Sequence, residues 1–350
     1  MATGAIRDDT ALTEGFAAWS RRQHPDRGDL RVDGLVRPKS GWSNETVIAD
    51  LSWTVDASRE RERLVVRLPL VAPSYPTYEL HNQAVVLDAL AASGVPAPRA
   101  VAVEDDTSWL GAPFLVMTFA AGEPVGEAPA LDRRLLARPP EEQRRVQDGF
   151  LDALAAVHRI DPDAAAARTL HVLRRGVAAE VAYWTEYASW AADGTPAQVL
   201  ADALGWCART IPEPGGPDSL LWGDARLGNV LYDDGGRVVA LLDWELATIG
   251  PAEMDLGWYL VLDELTTAFV GRTVPGFAGR ADAIRHYERA LGREIAHLAW
   301  HEIFALVRSI AINDCQARLA AAAGTPYPGV AGDANPILVH LEERISAFAG

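Results

Sequence analysis

The chain has 350 residues, of which 49% are hydrophobic and 23% charged, so it can bury a sizeable core and is not a disordered polypeptide. Its formal net charge of -16 argues against nucleic acid and anionic membranes as partners. Only two cysteines, no apolar leader and no apolar run of about 20 residues predict a cytoplasmic protein without disulfides.

The N-terminal third is predicted to form a β-rich lobe. Leu12, Phe16 and Trp19 recur at helical spacing and predict a leading helix over 11–23. A second helix is predicted over 78–92, and Gly94 ends it. Runs rich in β-branched residues predict five strands, at 32–36, 45–55, 63–70, 99–103 and 114–119.

Residues 120–124 interrupt this pattern, so we predict a boundary there between an N-lobe over 1–120 and a C-lobe over 121–350. The C-lobe is predicted to be mainly helical, with helices at 141–159, 175–192, 196–210, 252–269, 280–292, 294–321 and 333–348. In the first of these helices, four apolar residues are spaced to form one buried face: Val146, Phe150, Leu154 and Val157.

One segment of the C-lobe combines a polar loop with a predicted β-hairpin. Asp224 and Asn229 stand five apart, and the hairpin strands at 230–232 and 238–242 lead directly into Asp243. Phosphoryl transfer requires a carboxylate that takes the proton of the acceptor hydroxyl, and hard oxygen ligands for magnesium. The segment therefore predicts Asp224 as proton acceptor and Asn229 and Asp243 as metal ligands. Each could alone be a turn residue, but their coincidence with a hairpin favours the functional interpretation.

The amino-acid sequence of this segment resembles that of the aminoglycoside phosphotransferase family. Residues 222–229 read Trp-Gly-Asp-Ala-Arg-Leu-Gly-Asn, similar to the family's His-Gly-Asp loop, and Leu-Asp-Trp-Glu follows at 242–245. Further similar segments lie at 41–46, 94–99, 110–117 and 251–256. The resemblance implies an α+β class with a bilobal protein-kinase-like fold: an antiparallel β-sheet N-lobe with one key helix, and a mainly helical C-lobe that carries the catalytic hairpin.

The resemblance also implies a reaction. A small-molecule kinase of this family moves the γ-phosphate of ATP or GTP, with Mg2+, to a hydroxyl of a small molecule. Its acceptor would be an aminoglycoside, a nucleoside antibiotic or a similar metabolite, so a role in antibiotic resistance is expected. The N-lobe would bind the nucleotide, and the C-lobe would carry the catalytic loop and bind the acceptor.

The resemblance assigns nucleotide contacts to Arg67, Ser43, Asn44, Thr118 and Ala120. Arg67 stands where the family usually has the Lys that contacts the α- and β-phosphates; a half-exposed strand residue is the alternative. Ser43 and Asn44 belong to the turn that would cover the nucleotide, and could instead be plain turn formers. The segment with Thr118 and Ala120 would pair its backbone with a purine edge.

Several positions depart from the family pattern. Trp222 replaces the usual His, and Gln83 or Glu79 stands where the Lys would find its Glu partner. Arg226 is expected either to place charge near the phosphoryl group or pair with Asp224, or only to brace the loop. The departures motivate an alternative, a pseudokinase-like module that binds nucleotide without turnover. A protein kinase is a further alternative, but the chain lacks the Gly-x-Gly-x-x-Gly loop and the Ala-Pro-Glu segment.

Two histidines stand four apart on a predicted helix. Leu298 follows His297 where a zinc motif would have Glu, so His297 and His301 are not expected to bind metal. His301, Glu302 and Asp314 are predicted to lie on a solvated helix face, with an acceptor pocket as the alternative. Most of the eleven tryptophans are expected in the core, although two of them could contact an aromatic acceptor: Trp258 and Trp300. The resemblance makes Asp255 a brace of the catalytic loop.

Overall fold

The structure is a computed structural model that describes residues 7–38, 43–56, 58–327, 335 and 337–349, with residues 165–168 and 349 described by their backbone alone. The chain forms two compact units. The first consists of Met1–Asp88, Pro98–Phe119 and Leu319–Pro326, and the second of Ala89–Ala97, Ala120–Arg318 and Tyr327–Gly350.

The first unit is built on a five-stranded antiparallel sheet. Its strands are β1 (Gly28–Val36), β2 (Asn44–Val55), β3 (Ser58–Pro69), β4 (Ala100–Glu104) and β5 (Phe114–Thr118). They lie in the order β1-β2-β3-β5-β4. Helix α2 (Leu80–Ser93) follows β3, and Gly94 in the left-handed region follows the helix. The five predicted strands and the predicted helix are thus present, each overlapping its predicted range.

Helix α1 (Asp9–Gln23) packs on one face of this sheet. Because side chains alternate along a strand, every second residue of β2 and β3 points to that face. The resulting apolar cluster joins the three predicted helix residues to both strands: Leu12, Phe16, Trp19, Val47, Ala49, Leu51, Leu64, Val66 and Leu68. Arg67 lies between two of these residues and therefore points to the opposite face.

The second unit is mainly helical. Its helices are α3 (Arg133–Leu136), α4 (Pro140–His158), α5 (Val177–Ala191), α6 (Gln198–Arg209), α7 (Glu253–Val270), α8 (Arg280–Leu291), α9 (Leu298–Ala322), which begins in this unit, and α10 (Ile337–Ala349). The face predicted for α4 is buried, since Val146, Phe150, Leu154 and Val157 are at most 1% exposed.

Short strands interrupt the helices of the second unit. They are β6 (Glu123–Pro124), β7 (Ser219–Leu221), β8 (Val230–Tyr232), β9 (Val238–Leu241) and β10 (Thr248–Gly250). The predicted hairpin is the β8–β9 pair, β6 adds a third strand beside β8, and β7 pairs with β10. The predicted break at 120–124 therefore contains a strand, because Glu123 and Pro124 find partners more than 100 residues later in Tyr232 and Leu231.

Among the described residues, no helix has both the length and the apolar character needed to cross a membrane.

Candidate active site

The β8–β9 hairpin brings two predicted site residues together. Asp233 closes its turn by accepting two backbone N–H bonds of 2.9 Å each, and Gly236 supplies the positive φ of 76°. At the open end, the Leu242 N–H donates to the Asn229 carbonyl at 2.8 Å. Asn229 therefore lies beside the residue that immediately precedes Asp243.

The third predicted residue follows a turn that only glycine can make. Gly223 has φ 84°, and a Cβ atom at this position would overlap the carbonyl oxygen of Leu246. The chain leaves β7 and turns at Gly223, so that Asp224 projects next to the hairpin.

Three side chains hold the Asp224 carboxylate. Trp258 Nε1 donates to Oδ1 at 2.9 Å, while Asn229 Nδ2 and Arg226 Nε donate to Oδ2 at 2.8 and 3.0 Å. The Asp224 side chain nevertheless remains 18% exposed. The carboxylate is thus fixed in place but still accessible to a small molecule.

The environment of Asp224 tunes its acidity. Burial raises the pKa of its carboxyl, and the negative charge of Asp243 raises it further, to about 6. Hydrogen bonds from Trp258 and Asn229 and the charge of Arg308 oppose this rise. A carboxyl with a pKa of about 6 is mostly ionised at neutral pH and accepts a proton more readily than an ordinary aspartate.

Asp255, at the start of α7, braces the loop that precedes Asp224. Its fully buried carboxylate accepts hydrogen bonds from the backbone N–H groups of Trp222 at 2.6 Å and Gly223 at 2.9 Å. It also accepts from His158 Nε2 at 3.0 Å, and His158 Nδ1 lies 2.5 Å from the Tyr287 hydroxyl. Since a carboxylate only accepts, His158 Nε2 is the donor of the bond to Asp255. These contacts confirm the bracing role.

The oxygen atoms of Asn229 and Asp243 are of the kind that could hold a magnesium ion. The Asn229 amide nitrogen is engaged by Asp224, at 2.8 Å from Oδ2 and 3.0 Å from the backbone oxygen, so the amide oxygen is the atom of Asn229 that could bind a cation. Asp243 adds a carboxylate. Magnesium prefers such hard donors and takes its other ligands from water and phosphate.

Arg67 lies in the first unit, at the centre of the sheet. It stands opposite Thr46 on β2 and Leu115 on β5, and it is only 7% exposed. The alternative of a half-exposed strand residue is therefore wrong. Gln83 on α2 is also buried, at 3% exposure, and its side-chain nitrogen has no hydrogen-bond partner among the described residues.

The other predicted nucleotide contacts are placed by backbone hydrogen bonds. The Tyr78 hydroxyl donates to the Ser43 carbonyl at 2.7 Å, and Asn44 begins β2. Thr118 ends β5, where its hydroxyl accepts from the Arg99 N–H at 2.9 Å. Ala120 follows in the second unit, outside any helix or strand. Two residues of the predicted nucleotide turn, at positions 41 and 42, lie outside the described residues.

Two charged residues at the site were not predicted. Glu127 forms an ion pair with Arg226, so this arginine contacts two carboxylates. Arg308 on α9 donates to the Gly223 carbonyl at 2.5 Å, and its guanidinium lies over the rings of Trp258 and Trp184 at 4.4 and 4.9 Å. A signal for Arg308 existed in the sequence, since it is the single charge in the apolar run 303–312.

The prediction of a solvated face on α9 is wrong for two residues. His301 and Glu302 are each 3% exposed, and Glu302 is paired with Arg280 and with Arg344 at 2.7 Å. Burial lowers the pKa of His301 to about 4. Trp300 is a core residue that donates to Thr210 Oγ1 at 3.0 Å.

A sequence model described as the phosphotransferase enzyme family matches residues 34–303. Among named relatives, human acyl-CoA dehydrogenase family member 11 is 28% identical over 206 residues, and mouse acyl-CoA dehydrogenase family member 10 is 25% identical over 185 residues. The matches cover 57% and 53% of this chain, but only 24% and 17% of those proteins. The chain thus spans about a quarter or less of the length of these relatives.

Two solved structures show the fold. A candidate aminoglycoside phosphotransferase from Ralstonia eutropha JMP134 superposes with a TM-score of 0.65 at 23% identity, covering 96% of this chain and 95% of that one. Plasmodium vivax ethanolamine kinase superposes with a TM-score of 0.60 at 12% identity, covering 99% and 90%. The predicted α+β, bilobal protein-kinase-like fold is confirmed.

Proposed function

Because this chain belongs to the phosphotransferase enzyme family, we propose that it transfers the terminal phosphoryl group of ATP or GTP to a hydroxyl group of a small molecule, with Mg2+. The observation that carries the proposal is the Asp224 carboxylate. It is partly exposed, held by three donors that include Asn229, and near enough to Asp243 for that charge to raise its pKa. These features support a role in proton removal beside a metal–nucleotide complex.

The reaction is an in-line displacement at the γ-phosphorus. The acceptor oxygen forms a bond to phosphorus, its proton passes to the Asp224 carboxylate, and the bond to the bridging oxygen breaks to release the nucleoside diphosphate. Trp258, Asn229 and Arg226 orient the carboxylate so that one of its lone pairs faces the hydroxyl.

Asn229 and Asp243 would hold the magnesium ion, which neutralises phosphate charge when bound. Arg226, next to Asp224, would place positive charge near the transferred group. In the first unit, Arg67 would contact phosphate, assisted by backbone or side-chain contacts from four further residues: Ser43, Asn44, Thr118 and Ala120.

The proposed acceptor is an aminoglycoside, a nucleoside antibiotic or a similar hydroxylated metabolite. Support comes from the solved structures of the same fold, which are named as aminoglycoside phosphotransferase and ethanolamine kinase. The formal net charge of -16 agrees with a cationic acceptor. Turnover of an aminoglycoside would also support a role in antibiotic resistance.

A second acceptor class comes from the named relatives. They are called acyl-CoA dehydrogenases, and the part similar to this chain is a quarter or less of their length. In such proteins the part similar to this chain and the remainder belong to one chain, so a hydroxylated acyl-CoA thioester is a second candidate acceptor.

The test is nucleoside diphosphate release with Mg2+, with ATP and GTP tested separately, against aminoglycosides, nucleoside antibiotics, amino alcohols, sugars and hydroxyacyl-CoA thioesters. Turnover with one acceptor that is lost in Asp224→Ala would support the proposal and identify the class. Nucleotide binding without turnover of any acceptor would favour the pseudokinase-like module instead. Phosphate transfer to generic proteins would favour a protein kinase.

The acidity of Asp224 predicts the pH dependence of the reaction. Only the ionised carboxylate accepts a proton, so kcat/KM for the acceptor is expected to fall with acidification, about tenfold per pH unit below the pKa. Trp258→Phe removes a donor that stabilises the ionised form, so the acid limb is expected to move up by about one pH unit at fixed Mg2+.

The control is Trp300→Phe, which removes an indole hydrogen bond to Thr210 rather than one to the carboxylate. This variant should keep the wild-type profile. An unchanged acid limb in Trp258→Phe would contradict the assignment of that limb to Asp224.

Arg67→Ala is expected to raise the KM for nucleotide by about tenfold to a hundredfold, because charge-assisted hydrogen bonds to phosphate are lost. The KM for the acceptor should change little. Arg67→Lys, which keeps the charge, should recover part of the loss. The matched control is Arg61→Ala on the same strand, where the side chain is exposed. Equal nucleotide KM values for the Arg67 and Arg61 variants would remove Arg67 from the proposed site.

A further inference from the structure

Trp222 occupies a fully buried position two residues before Asp224. Its indole stacks on that of Trp244, with ring centroids 5.3 Å apart and planes inclined by 22°. Its backbone N–H donates to Asp255 at 2.6 Å, so its main chain belongs to the braced loop described above. A buried aromatic residue in such a place could serve packing alone, but the indole nitrogen of Trp222 also makes specific hydrogen bonds.

The Trp222 indole reaches the opposite segment of the site. Its Nε1 donates to the carbonyl oxygens of Leu242 at 2.8 Å and Asp243 at 3.2 Å. The hydrogen bonds of the hairpin reach Leu242, whose N–H donates to the Asn229 carbonyl, and the Asp243 carbonyl lies beyond that bond. The indole bond is a further contact that holds the Asp243 carbonyl.

Asp243 requires such support because of its backbone conformation. Its φ is 64°, in the left-handed region, which a residue with a Cβ atom adopts at a cost of about 1 kcal/mol or more. Conformations of this kind persist where the surroundings hold them. Trp222 supplies this support, because its indole donates to the Asp243 carbonyl and its backbone N–H donates to the Asp255 carboxylate.

We propose that Trp222 is a positioning residue: by joining the loop of Asp224 to the turn of Asp243, it fixes the Asp243 carboxylate in the orientation that receives the divalent cation. The inference rests on the proposed function, since it concerns the cation that accompanies the nucleotide. Trp222 itself touches neither the reacting atoms nor the ion.

The test measures cation binding directly, with Mn2+ as the probe in the presence of ADP or of GDP, whichever the wild-type protein binds, and with free Mn2+ followed by electron paramagnetic resonance. Trp222→Phe keeps a ring and removes the donor. It is expected to weaken Mn2+ binding by about tenfold to a hundredfold, as losses of partners that orient a metal ligand usually do. Trp222→His retains a ring donor and should be weakened less.

The matched control is Trp244→Phe. This indole is also buried and donates to the same segment, but to the Leu241 carbonyl at 3.1 Å. Its loss should leave Mn2+ affinity within about twofold, because Asp243 keeps its own support. Melting temperatures of the metal-free variants establish that each is folded, and if Trp222→Phe is not, the comparison of Trp222→His with Trp244→Phe decides.

Two results would overturn the inference: wild-type Mn2+ affinity in the Trp222 variants, or equal weakening in the Trp222 and Trp244 variants, which would indicate packing alone. In either case, binding of Mn2+ with nucleoside diphosphate by the wild-type protein would leave the proposed function intact. Absence of Mn2+ binding in the wild-type protein with both ADP and GDP would instead contradict the proposed function, and the inference with it.

Discussion

Asp224→Asn is expected to lower kcat by about a hundredfold to ten-thousandfold, the range typical of a lost general base. The amide cannot take the proton of the acceptor hydroxyl, although it occupies the same volume beside Trp258 and Asn229. The measurement is nucleoside diphosphate release at saturating acceptor and Mg2+. KM for nucleotide should change by less than about threefold, because the lost interaction belongs to the transition state.

The same substitution should leave the protein folded. Folding raises the pKa of Asp224 to about 6, so its ionisation lowers stability as pH rises from about 4 to about 6, and that cost persists at neutral pH. The amide removes the cost but loses one acceptor oxygen, and the two effects oppose each other. We therefore expect a melting temperature close to that of the wild type at pH 7.

The control for charge is Asp234→Asn, in the exposed turn of the same hairpin. It removes an equal charge from the same segment and should retain wild-type kcat. If Asp224→Asn were as active as Asp234→Asn, Asp224 could not be the proton acceptor, and the proposed reaction would lose its main support.

Asp255→Ala is expected to produce the largest loss of stability. It leaves the backbone N–H groups of Trp222 and Gly223 and the Nε2 proton of His158 buried without their acceptor. Each unsatisfied group costs about 1–3 kcal/mol, so the free energy of unfolding should fall by about 3–9 kcal/mol. Thermal unfolding should show a decrease of about 10 °C.

A matched control lies on the same helix. Burial raises the pKa of Asp263, and the neighbouring charge of Glu264 raises it further, so its ionised form is disfavoured by folding. Asp263→Asn should therefore leave stability unchanged or increase it at neutral pH, with the difference vanishing in acid. An equal loss of stability in the Asp255 and Asp263 variants would mean that Asp255 contributes only its charge.

Local patterns were sufficient to predict most elements and to predict that the candidate site residues lie close together. The hairpin follows from its turn residues and brings Asn229 and Asp243 together, while the turn at Gly223 places Asp224 beside them. Helix α4 follows from its apolar period. Each of these inferences uses residues within about twenty positions of one another, where backbone geometry limits the choices.

The remaining features depend on partners distant in sequence. The pair of Arg226 with Glu127 joins residues 99 positions apart, and Arg308 reaches Gly223 across 85 positions. The prediction that His301 and Glu302 lie on a solvent-exposed face was wrong, because a helix that is buried on several sides has no single apolar stripe in its sequence. The two- and three-residue strands are too short to show any alternation.

The three candidate chemical residues and their Asp255 brace all lie between positions 219 and 255, whereas Glu127, His158 and Arg308 lie outside that stretch. A gene fragment that encodes residues 219–255 is therefore a suitable fragment to exchange between members of this family when chimeras are built. In such a chimera, one parent protein would supply the candidate chemical residues and the other parent would supply the residues that surround and support them. Comparing reciprocal chimeras would reveal how far the surroundings, rather than the reacting groups, set the rate in each parent.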